Sequence, residues 1–421
     1  MDHFTYINST LCAEEIPVSK IASEIGTPFY CYSEATLTRH FQVFSEAFSD
    51  IPTTICFAVK ANSNLAVLKT LADLGGGADT VSEGEIRRAR SVGIPAEKIV
   101  FSGVGKTRDE MRYALGVDIA QFNVESLEEL EMLNEVAGDL GIKARIAVRV
   151  NPDVDANTHD KISTGRKTDK FGVAWEQIHD VYEKASKMKW VEITGVTTHI
   201  GSQLTALEPF KKAFDRITEL VISLREAGHN IKNLDLGGGL GIPYGEGENP
   251  PSPKDYADMI IDTVKNLGCN LILEPGRLIV GNAGILVAKV ARVKKTPERE
   301  FVIVDAAMND LARPSMYDSF HEIVTVREHS LEEVLDIVDI VGPICESSDV
   351  FARQRPLAKV ATDDLVAFRS CGAYGAVQAG TYNSRPLIAE VMVKGDEYAV
   401  IRKRQTYDEL LGQDNIPEWK E

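Results

Sequence analysis

Four residue patterns in the chain can do chemistry, because each places a reactive or anion-binding group directly after a short apolar run. Lys60 follows one such run in FAVKAN, and His199 begins the segment HIGSQ after another. Residues 235–241 read DLGGGLG, and residues 274–277 read EPGR. A lysine amine that is removed from water can form a Schiff base with an aldehyde. A glycine-rich loop lets backbone N–H groups approach an anion closely.

Short strands that alternate with amphipathic helices, from about residue 29 to residue 275, would position these groups. The predicted strands are Thr54–Val59, Ala78–Val81, Ile99–Ser102, Ile119–Asn123, Ala144–Val150, Gly195–His199, Asn233–Leu236 and Asn270–Glu274. Ser126, which precedes an acidic first turn, predicts the start of one of the helices. Strand–helix units repeated in this way over roughly 250 residues favour a (β/α)8 barrel with parallel strands. A doubly wound parallel sheet is the alternative fold.

The pattern changes after about residue 280, where strand-like runs follow one another with little helical periodicity. Examples are ILVAKVARVKK, EREFVIVDAA and PLIAEVMVKGDEYAVIRKR. We therefore predict an α/β protein with two domains: a barrel over residues 28–279 and an all-β domain, like a sandwich or barrel, over residues 280–421. Residues 1–27 do not fit the barrel pattern and are expected to join the all-β domain.

The four patterns are expected to meet at one rim of the barrel, because barrels carry their chemistry at the carboxyl ends of the strands. GGGLG and EPGR follow the seventh and eighth predicted strands, where barrels often bind phosphate. Pyridoxal 5′-phosphate requires a lysine for its aldehyde, an anion pocket for its phosphate and a partner for its ring nitrogen. The set therefore predicts this cofactor, although each pattern alone also fits a surface lysine, a structural histidine, a tight turn or a solvated carboxylate.

Three further motifs in the second domain carry polar groups that can bind or react. Residues 313–317 read RPSMY, residues 345–349 read CESSD, and residues 372–375 read GAYG. A buried, inert thiol is the more common role of a cysteine, but the charged and hydroxyl neighbours of Cys345 argue against burial in an apolar core. The other cysteines are scattered and are expected to be reduced and inert: Cys12, Cys31, Cys56, Cys269 and Cys371.

These motifs, from FAVKAN to GAYG, resemble those of the fold-type III pyridoxal-phosphate-dependent decarboxylases over essentially the whole chain. The resemblance implies that Lys60 carries the cofactor as a Schiff base, that His199 stacks on its ring and that Glu274 faces its ring nitrogen. It also implies that the remaining cofactor contacts are made by Gly238, Pro275, Gly276, Arg277 and Tyr374.

Within this family, the chain resembles the branch whose substrate has an amino-acid group at both ends, and CES (residues 345–347) is its most discriminating short motif. The implied reaction converts meso-2,6-diaminopimelate to L-lysine and CO2, with Lys60, Cys345 and His199 as the catalytic groups and Cys345 as the proton donor. The implied substrate ligands are Arg277, Arg313, Tyr317, Glu346 and Tyr374. An arginine fork matches the distal carboxylate, which ornithine and lysine lack. The family also implies a homodimer in which the CES loop serves the partner's site.

Other functions remain open on the sequence. One is a decarboxylase of the same fold that acts on ornithine, arginine or carboxynorspermidine; ornithine decarboxylases carry Cys-Asp where this chain has Cys345 and Glu346. A racemase would use a tyrosine base in place of the cysteine loop. A non-enzymatic pyridoxal-phosphate-binding barrel would lack the second domain.

The composition excludes several classes of protein. The 421 residues carry 46 Lys and Arg against 63 Asp and Glu, and the net charge of −17 argues against a general nucleic-acid binder. No run reaches the ~18–20 apolar residues of a membrane span, and the N-terminus lacks a signal pattern. We expect a cytoplasmic protein with a small-molecule substrate, no nucleic-acid or membrane partner and no metal site. The long polar loop at residues 151–172 is a candidate lid.

Overall fold

The computed structural model describes residues 2–155, 164–165, 169–245, 247–330 and 332–420. The chain divides into two compact units. The unit that we call the barrel unit comprises Leu37–Pro243 and Gly247–Ile279. The unit that we call the β unit comprises Met1–Thr36, Tyr244–Glu246 and Val280–Glu421.

The strands of the β unit come from both ends of the chain, and those of the barrel unit come from the middle. The described strands are, in chain order, β1 (Phe4–Ile7), β2 (Thr10–Ala13), β3 (Ile16–Pro17), β4 (Phe29–Ser33), β5 (Thr53–Ala58), β6 (Gly77–Thr80), β7 (Ile99–Phe101), β8 (Gln121–Val124), β9 (Ala144–Asn151), β10 (Val173–Ala174), β11 (Val191–Thr197), β12 (Asn233–Asp235), β13 (Asn270–Leu273), β14 (Gly284–Lys295), β15 (Glu300–Val304), β16 (Ile323–Thr325), β17 (Leu335–Val341), β18 (Val350–Ala358), β19 (Leu365–Phe368), β20 (Ala389–Lys394) and β21 (Glu397–Arg402).

The α-helices lie mostly between the strands of the barrel unit. The described helices are α1 (Val18–Ile25), α2 (Glu34–Ala47), α3 (Leu65–Asp73), α4 (Glu83–Ser91), α5 (Arg108–Gly116), α6 (Leu127–Leu140), α7 (Ile178–Ser186), α8 (Glu208–Glu226), α9 (Pro253–Val264), α10 (Arg277–Val280), α11 (Arg313–Tyr317) and α12 (Tyr407–Leu411). Among them, none is both long enough and apolar enough to cross a bilayer.

The barrel unit is a closed ring of parallel strands in the order β5–β6–β7–β8–β9–β11–β12–β13, with β13 pairing back to β5. The predicted (β/α)8 barrel is therefore confirmed. Its helices bury one apolar face each, as in α8, where Phe210, Phe214, Ile217 and Leu220 recur at helical spacing and are buried. The predicted N-cap is also confirmed, since the Ser126 side chain accepts a hydrogen bond from an N–H group in the first turn of α6.

The β unit is built around a sheet in the order β18–β17–β15–β14–β4–β20–β21, with β19 and β16 continuing from β14. The predicted all-β domain is thus present. β4 pairs with β14 on one side and with β20 on the other, so Phe29–Ser33 lies in the middle of this sheet. For this reason the division between the units falls after Thr36, whereas the pattern of the sequence placed it after residue 27.

The small sheet β1–β2–β3 and helix α1 cover one face of the β unit. Phe4, Leu11 and Ile21 from this N-terminal segment share one buried apolar cluster with Phe29 and Val391. Burial of such side chains favours the folded unit by about 1.5–3 kcal/mol each.

Candidate active site

Lys60 lies at the carboxyl end of the first barrel strand, in a single 3₁₀ turn (Val59–Ala61) that directly follows β5. Its Nζ is 2.7 Å from Oδ2 of Asp79, which is fully buried on β6. The parallel register pairs Ala58 with Asp79, which brings the carboxylate beside the lysine. The Lys60 side chain is 37% exposed. The sequence led us to expect a desolvated amine, but the main feature of its surroundings is the carboxylate partner.

Two more carboxylates lie at the same rim and share one amide donor. Nδ2 of Asn123 is 2.9 Å from Oδ2 of Asp235 and 3.3 Å from Oε1 of Glu274. Gln121 donates to Oδ1 of Asn123 at 2.9 Å, which fixes the orientation of the Asn123 amide. All four side chains are buried. The alternative interpretation of Glu274, as a carboxylate exposed to solvent, is therefore wrong.

Burial and mutual repulsion raise the pKa values of both acids. The pKa of Glu274 is raised well above its ordinary value, first by desolvation and then by the charges of Asp235 and Asp79. Desolvation raises the pKa of Asp235 to about 6, against hydrogen bonds from Gly237 and Asn123 that lower it. The surroundings of Glu274 thus favour the protonated form of its carboxyl group.

His199 follows β11 and is fixed by the glycine-rich loop. The N–H of Gly238 donates to Nδ1 of His199 at 3.2 Å, so Nδ1 carries a lone pair and Nε2 carries the hydrogen. The pKa of His199 is lowered well below its ordinary value by desolvation and by the positive charges of Arg149 and Lys60. His199 is therefore a neutral imidazole with a defined tautomer.

Close packing against backbone atoms requires glycine at two positions of the glycine-rich loop. A Cβ on Gly238 would lie 2.2 Å from the carbonyl oxygen of Glu274, and one on Gly239 would lie 2.4 Å from that of Gly201. The N–H of Gly237 donates to Oδ1 of Asp235 at 2.9 Å. The loop therefore ties the ends of three strands together, and this holds whether or not it also binds a phosphate.

The EPGR segment is held between the first and last barrel strands. The carbonyl oxygen of Pro275 accepts from the N–H of Ala58 at 3.1 Å, and that of Gly276 accepts from Ile279 at 3.1 Å. The buried Arg277 donates to Oγ of Ser202 at 3.1 Å. The barrel unit thus brings together all the residues that the sequence assigned to its rim.

The β unit places Arg313 and Tyr317 at the two ends of α11. Arg313 is buried and its guanidinium donates to Nε2 of His321 at 3.0 Å. The Tyr317 hydroxyl accepts from Nε2 of Gln378 at 3.5 Å. His321 follows the RPSMY motif closely in the sequence, but the sequence assigned it no role in the site.

Cys345 and Glu346 are exposed on the loop that precedes β18. Asp349 fixes this loop, since its carboxylate accepts from the N–H of Ile344 at 2.6 Å and from that of Met308 at 2.7 Å. The hydroxyl of Ser348 donates to Glu346, and this bond lowers the pKa of the Glu346 carboxyl. The expectation that Cys345 is not a core thiol is confirmed.

The CESSD loop and α11 are joined directly. Oγ of Ser315 donates to the carbonyl oxygen of Ser348 at 2.6 Å. The RPSMY and CESSD motifs, which are far apart in the sequence, are therefore neighbours in the β unit.

Tyr374 of the GAYG motif has a φ of +55°, in the left-handed region. The flanking glycines are required by packing: a Cβ on Gly372 would lie 1.9 Å from the carbonyl oxygen of Val280, and one on Gly375 would lie 2.7 Å from the hydroxyl of Tyr30. Half of the candidate lid at 151–172, namely residues 156–163 and 166–168, lies outside the described residues.

Comparison with known proteins places the chain in a family. Residues 34–281 match the family described as pyridoxal-dependent decarboxylase, pyridoxal binding domain. A protein of Zymomonas mobilis named diaminopimelate decarboxylase is 50% identical over 420 residues, which cover 99% of this chain and 99% of that protein. The chain belongs to the diaminopimelate decarboxylases.

Solved diaminopimelate decarboxylases have the same fold. The structure from M. jannaschii in co-complex with L-lysine matches with a TM-score of 0.94 at 39% identity and covers 99% of this chain and 98% of that chain. The structure from Helicobacter pylori complexed with L-lysine gives a TM-score of 0.90 at 42% identity, with 94% of this chain and 98% of that chain covered. The predicted family and fold class are confirmed.

Membership of the diaminopimelate decarboxylases also confirms the predicted cofactor, and the rim residues fit it. Lys60 supplies an amine, Glu274 a buried carboxyl group with a raised pKa, and Arg277 a buried guanidinium, all in one barrel unit. Within the described residues, no group of three or more His, Cys, Asp or Glu side chains is arranged to bind a metal ion.

Proposed function

We propose that this chain catalyses the decarboxylation of meso-2,6-diaminopimelate to L-lysine and CO2. The observation that carries the proposal is the pairing of Lys60 with the buried Asp79 at a rim where burial raises the pKa of Glu274. Pyridoxal 5′-phosphate, when bound, supplies the electron sink that stabilises the carbanion left by the departing CO2.

The barrel residues have distinct roles in this proposal. Lys60 holds the cofactor through its amine, and Asp79 orients that amine. Glu274 would face the ring nitrogen, and its raised pKa favours the protonated form of its carboxyl group. His199, as a neutral imidazole, would pack on the ring without adding a positive charge beside it. Gly238, Pro275, Gly276 and Arg277 would contact the phosphate.

The β-unit residues bind the substrate and complete the proton transfer. Arg313 and Tyr317 take the distal carboxylate, together with Arg277 and Tyr374, and Glu346 takes the distal ammonium. Sγ of Cys345 gives its proton to the α-carbon in place of the lost CO2, and the exposed thiolate recovers a proton from solvent. One proton is thus consumed for each CO2 released.

We propose further that the enzyme is a homodimer whose CES loop serves the partner subunit's site, because Cys345 and Glu346 are exposed on the single chain. Mixing Lys60→Ala with Cys345→Ala tests this. Reassociated subunits should recover about a quarter of the wild-type activity if sites are shared, and none if each chain is complete. The cytoplasmic location expected from the sequence stays a prediction.

The experiment that tests the proposed reaction is the release of CO2 and lysine from meso-2,6-diaminopimelate by the enzyme with added pyridoxal 5′-phosphate. The two products should appear in equal amounts, and Lys60→Ala should release neither. A panel with ornithine, arginine and carboxynorspermidine tests the alternatives. Faster CO2 release from one of these than from diaminopimelate would overturn the proposed substrate.

A further inference from the structure

His321 is a buried histidine of the β unit whose ring lies between a carbonyl oxygen and a guanidinium. It is 1% exposed. Its Nδ1 is 2.9 Å from the carbonyl oxygen of Arg369, and its Nε2 is 3.0 Å from Nη1 of Arg313. A carbonyl oxygen can only accept and a guanidinium can only donate. The ring is therefore neutral, with the hydrogen on Nδ1 and a lone pair on Nε2 directed at Arg313.

Several contacts hold the His321 ring in this orientation. Nη1 of Arg355 donates to the carbonyl oxygen of His321 at 2.8 Å, and Sγ of Cys371 lies 3.4 Å from Nδ1. The edge of the Tyr244 ring packs on His321, with ring centroids 5.4 Å apart and an interplanar angle of 83°. The backbone and the ring of His321 are thus both fixed.

The same tyrosine also contacts Arg313, whose guanidinium carbon lies 4.8 Å from the centroid of the Tyr244 ring. Arg313 is therefore held by a ring contact and by a hydrogen bond to His321. A guanidinium is planar. Once one of its N–H bonds and its packing on the Tyr244 ring are set, the directions of its other N–H bonds are set as well. A carboxylate bound in the two-point manner of arginine depends on those directions.

We infer that His321 is a positioning residue that orients Arg313 to bind the distal carboxylate of the substrate. The inference rests on the proposed function, in which Arg313 takes that carboxylate. His321 accordingly contributes to the preference for a diamino acid over a plain diamine. A histidine that only fills the core would need its volume but not its Nε2 acceptor, and this difference can be measured.

Two substitutions separate the acceptor from the volume. In His321→Gln, the side-chain oxygen takes the place of Nε2 and can accept from Arg313. In His321→Asn, the amide nitrogen takes the place of Nδ1, so that the bond to Arg369 is kept and the acceptor for Arg313 is lost. Each variant removes one buried hydrogen bond, so the two are matched in their expected loss of stability.

The test is inhibition of the holoenzyme by the product L-lysine, whose remaining carboxylate is the distal carboxylate of the substrate. Cadaverine, which has the same chain and both amines but no carboxylate, is the comparison inhibitor. We expect His321→Asn to weaken lysine inhibition by about ten- to hundredfold and cadaverine inhibition by less than about twofold. His321→Gln should weaken lysine inhibition clearly less. In an Arg313→Lys background, His321→Asn should add little to the loss of lysine inhibition, because the group that it orients is absent.

Equal weakening of lysine and cadaverine, no weakening of either, or equal effects of the Asn and Gln variants would each overturn the inference. The proposed function is decided separately, by wild-type CO2 release from diaminopimelate measured in parallel. An active wild type whose preference for lysine over cadaverine survives His321→Asn contradicts the inference alone.

Discussion

The amine of Lys60 lies 2.7 Å from the carboxylate of Asp79, one barrel strand away. Asp79 is fully buried, whereas the Lys60 side chain is about a third exposed. The ion pair therefore fixes the lysine at the carboxyl end of its strand, where its side chain is still partly exposed. It also makes the stability of the rim depend on the lysine, because a buried carboxylate without its partner is costly.

Lys60→Ala should abolish the visible absorption of the bound cofactor and reduce turnover at least ~10³-fold, since the covalent attachment point is lost. The cofactor-free variant should also lose about 1–2 kcal/mol of unfolding free energy, because Asp79 stays buried without its partner. Absorbance and urea denaturation measure the two effects.

A double variant serves as the control for Lys60→Ala. Adding Asp79→Asn removes the unpaired charge, so the double variant should regain most of the lost stability while the absorption stays absent. If Lys60→Ala keeps the visible band, the assignment of Lys60 as the cofactor lysine is wrong.

Glu274 should make the cofactor-free protein less stable as the pH rises. Its folded-state pKa is raised well above the ordinary value of 4.5, so above about pH 4.5 the folded state binds more protons than the unfolded state. The unfolding free energy then falls by up to about 1.4 kcal/mol per pH unit until the folded carboxyl ionises. Glu274→Gln removes this contribution, so the stability of the variant relative to the wild type should increase with pH.

Urea denaturation of cofactor-free protein at pH 5, 6, 7 and 8 measures this difference. Glu85→Gln, on α4, serves as a positive control. Burial raises the pKa of Glu85 to about 7, so the stability of this variant relative to the wild type should also increase with pH. A stability difference between Glu274→Gln and wild type that is constant across the range contradicts a raised pKa at Glu274.

The sequence predicts the barrel because the strand–helix repeat is regular and each repeat is continuous in the sequence. Each predicted strand coincides with an observed one to within a few residues, and Lys60 and His199 fall just beyond the ends of β5 and β11. Both belong to the loops that follow the strands, where barrel chemistry lies.

The side chains that lie beside Lys60 depend on how neighbouring strands are aligned. The apolar pattern of the sequence does not specify this register. Asp79 and Asn123 are polar residues in buried strands, and this is a signal that a site is near. Only the pairing of Ala58 with Asp79 brings that carboxylate beside Lys60, and only closure of the ring brings Asn123 to Asp235.

The β unit was harder to predict because its pairings are distant in the sequence. β4 pairs with strands more than 250 residues away. β18 was not predicted, since Pro356 and two arginines interrupt its apolar alternation. Among the described strands, β18 pairs with β17 alone, and an edge strand is where a proline is tolerated.

Cys345→Ala should leave the cofactor absorption and the unfolding free energy unchanged, the latter within ~0.5 kcal/mol, because the side chain is exposed. Turnover should fall by about 10²–10⁴-fold, the range expected when a proton donor is removed. Cys269→Ala is the matched control, since that thiol is partly buried and burial raises its pKa. If Cys345→Ala turns over as fast as the control, Cys345 is an inert thiol and not the proton donor.

Asp349→Asn should misplace the Cys345 loop without touching the cofactor. The Asp349 carboxylate accepts two N–H groups, from Ile344 and Met308, and an amide of the same shape would present a donor to one of them. We expect a loss of about 1–2 kcal/mol in unfolding free energy and at least a ~10-fold fall in kcat, with unchanged cofactor absorption. Asp363→Asn is the control, because its ion pair with Lys289 is exposed and surface pairs contribute little. A kcat for Asp349→Asn equal to that of this control would show that Asp349 does not position the loop for catalysis.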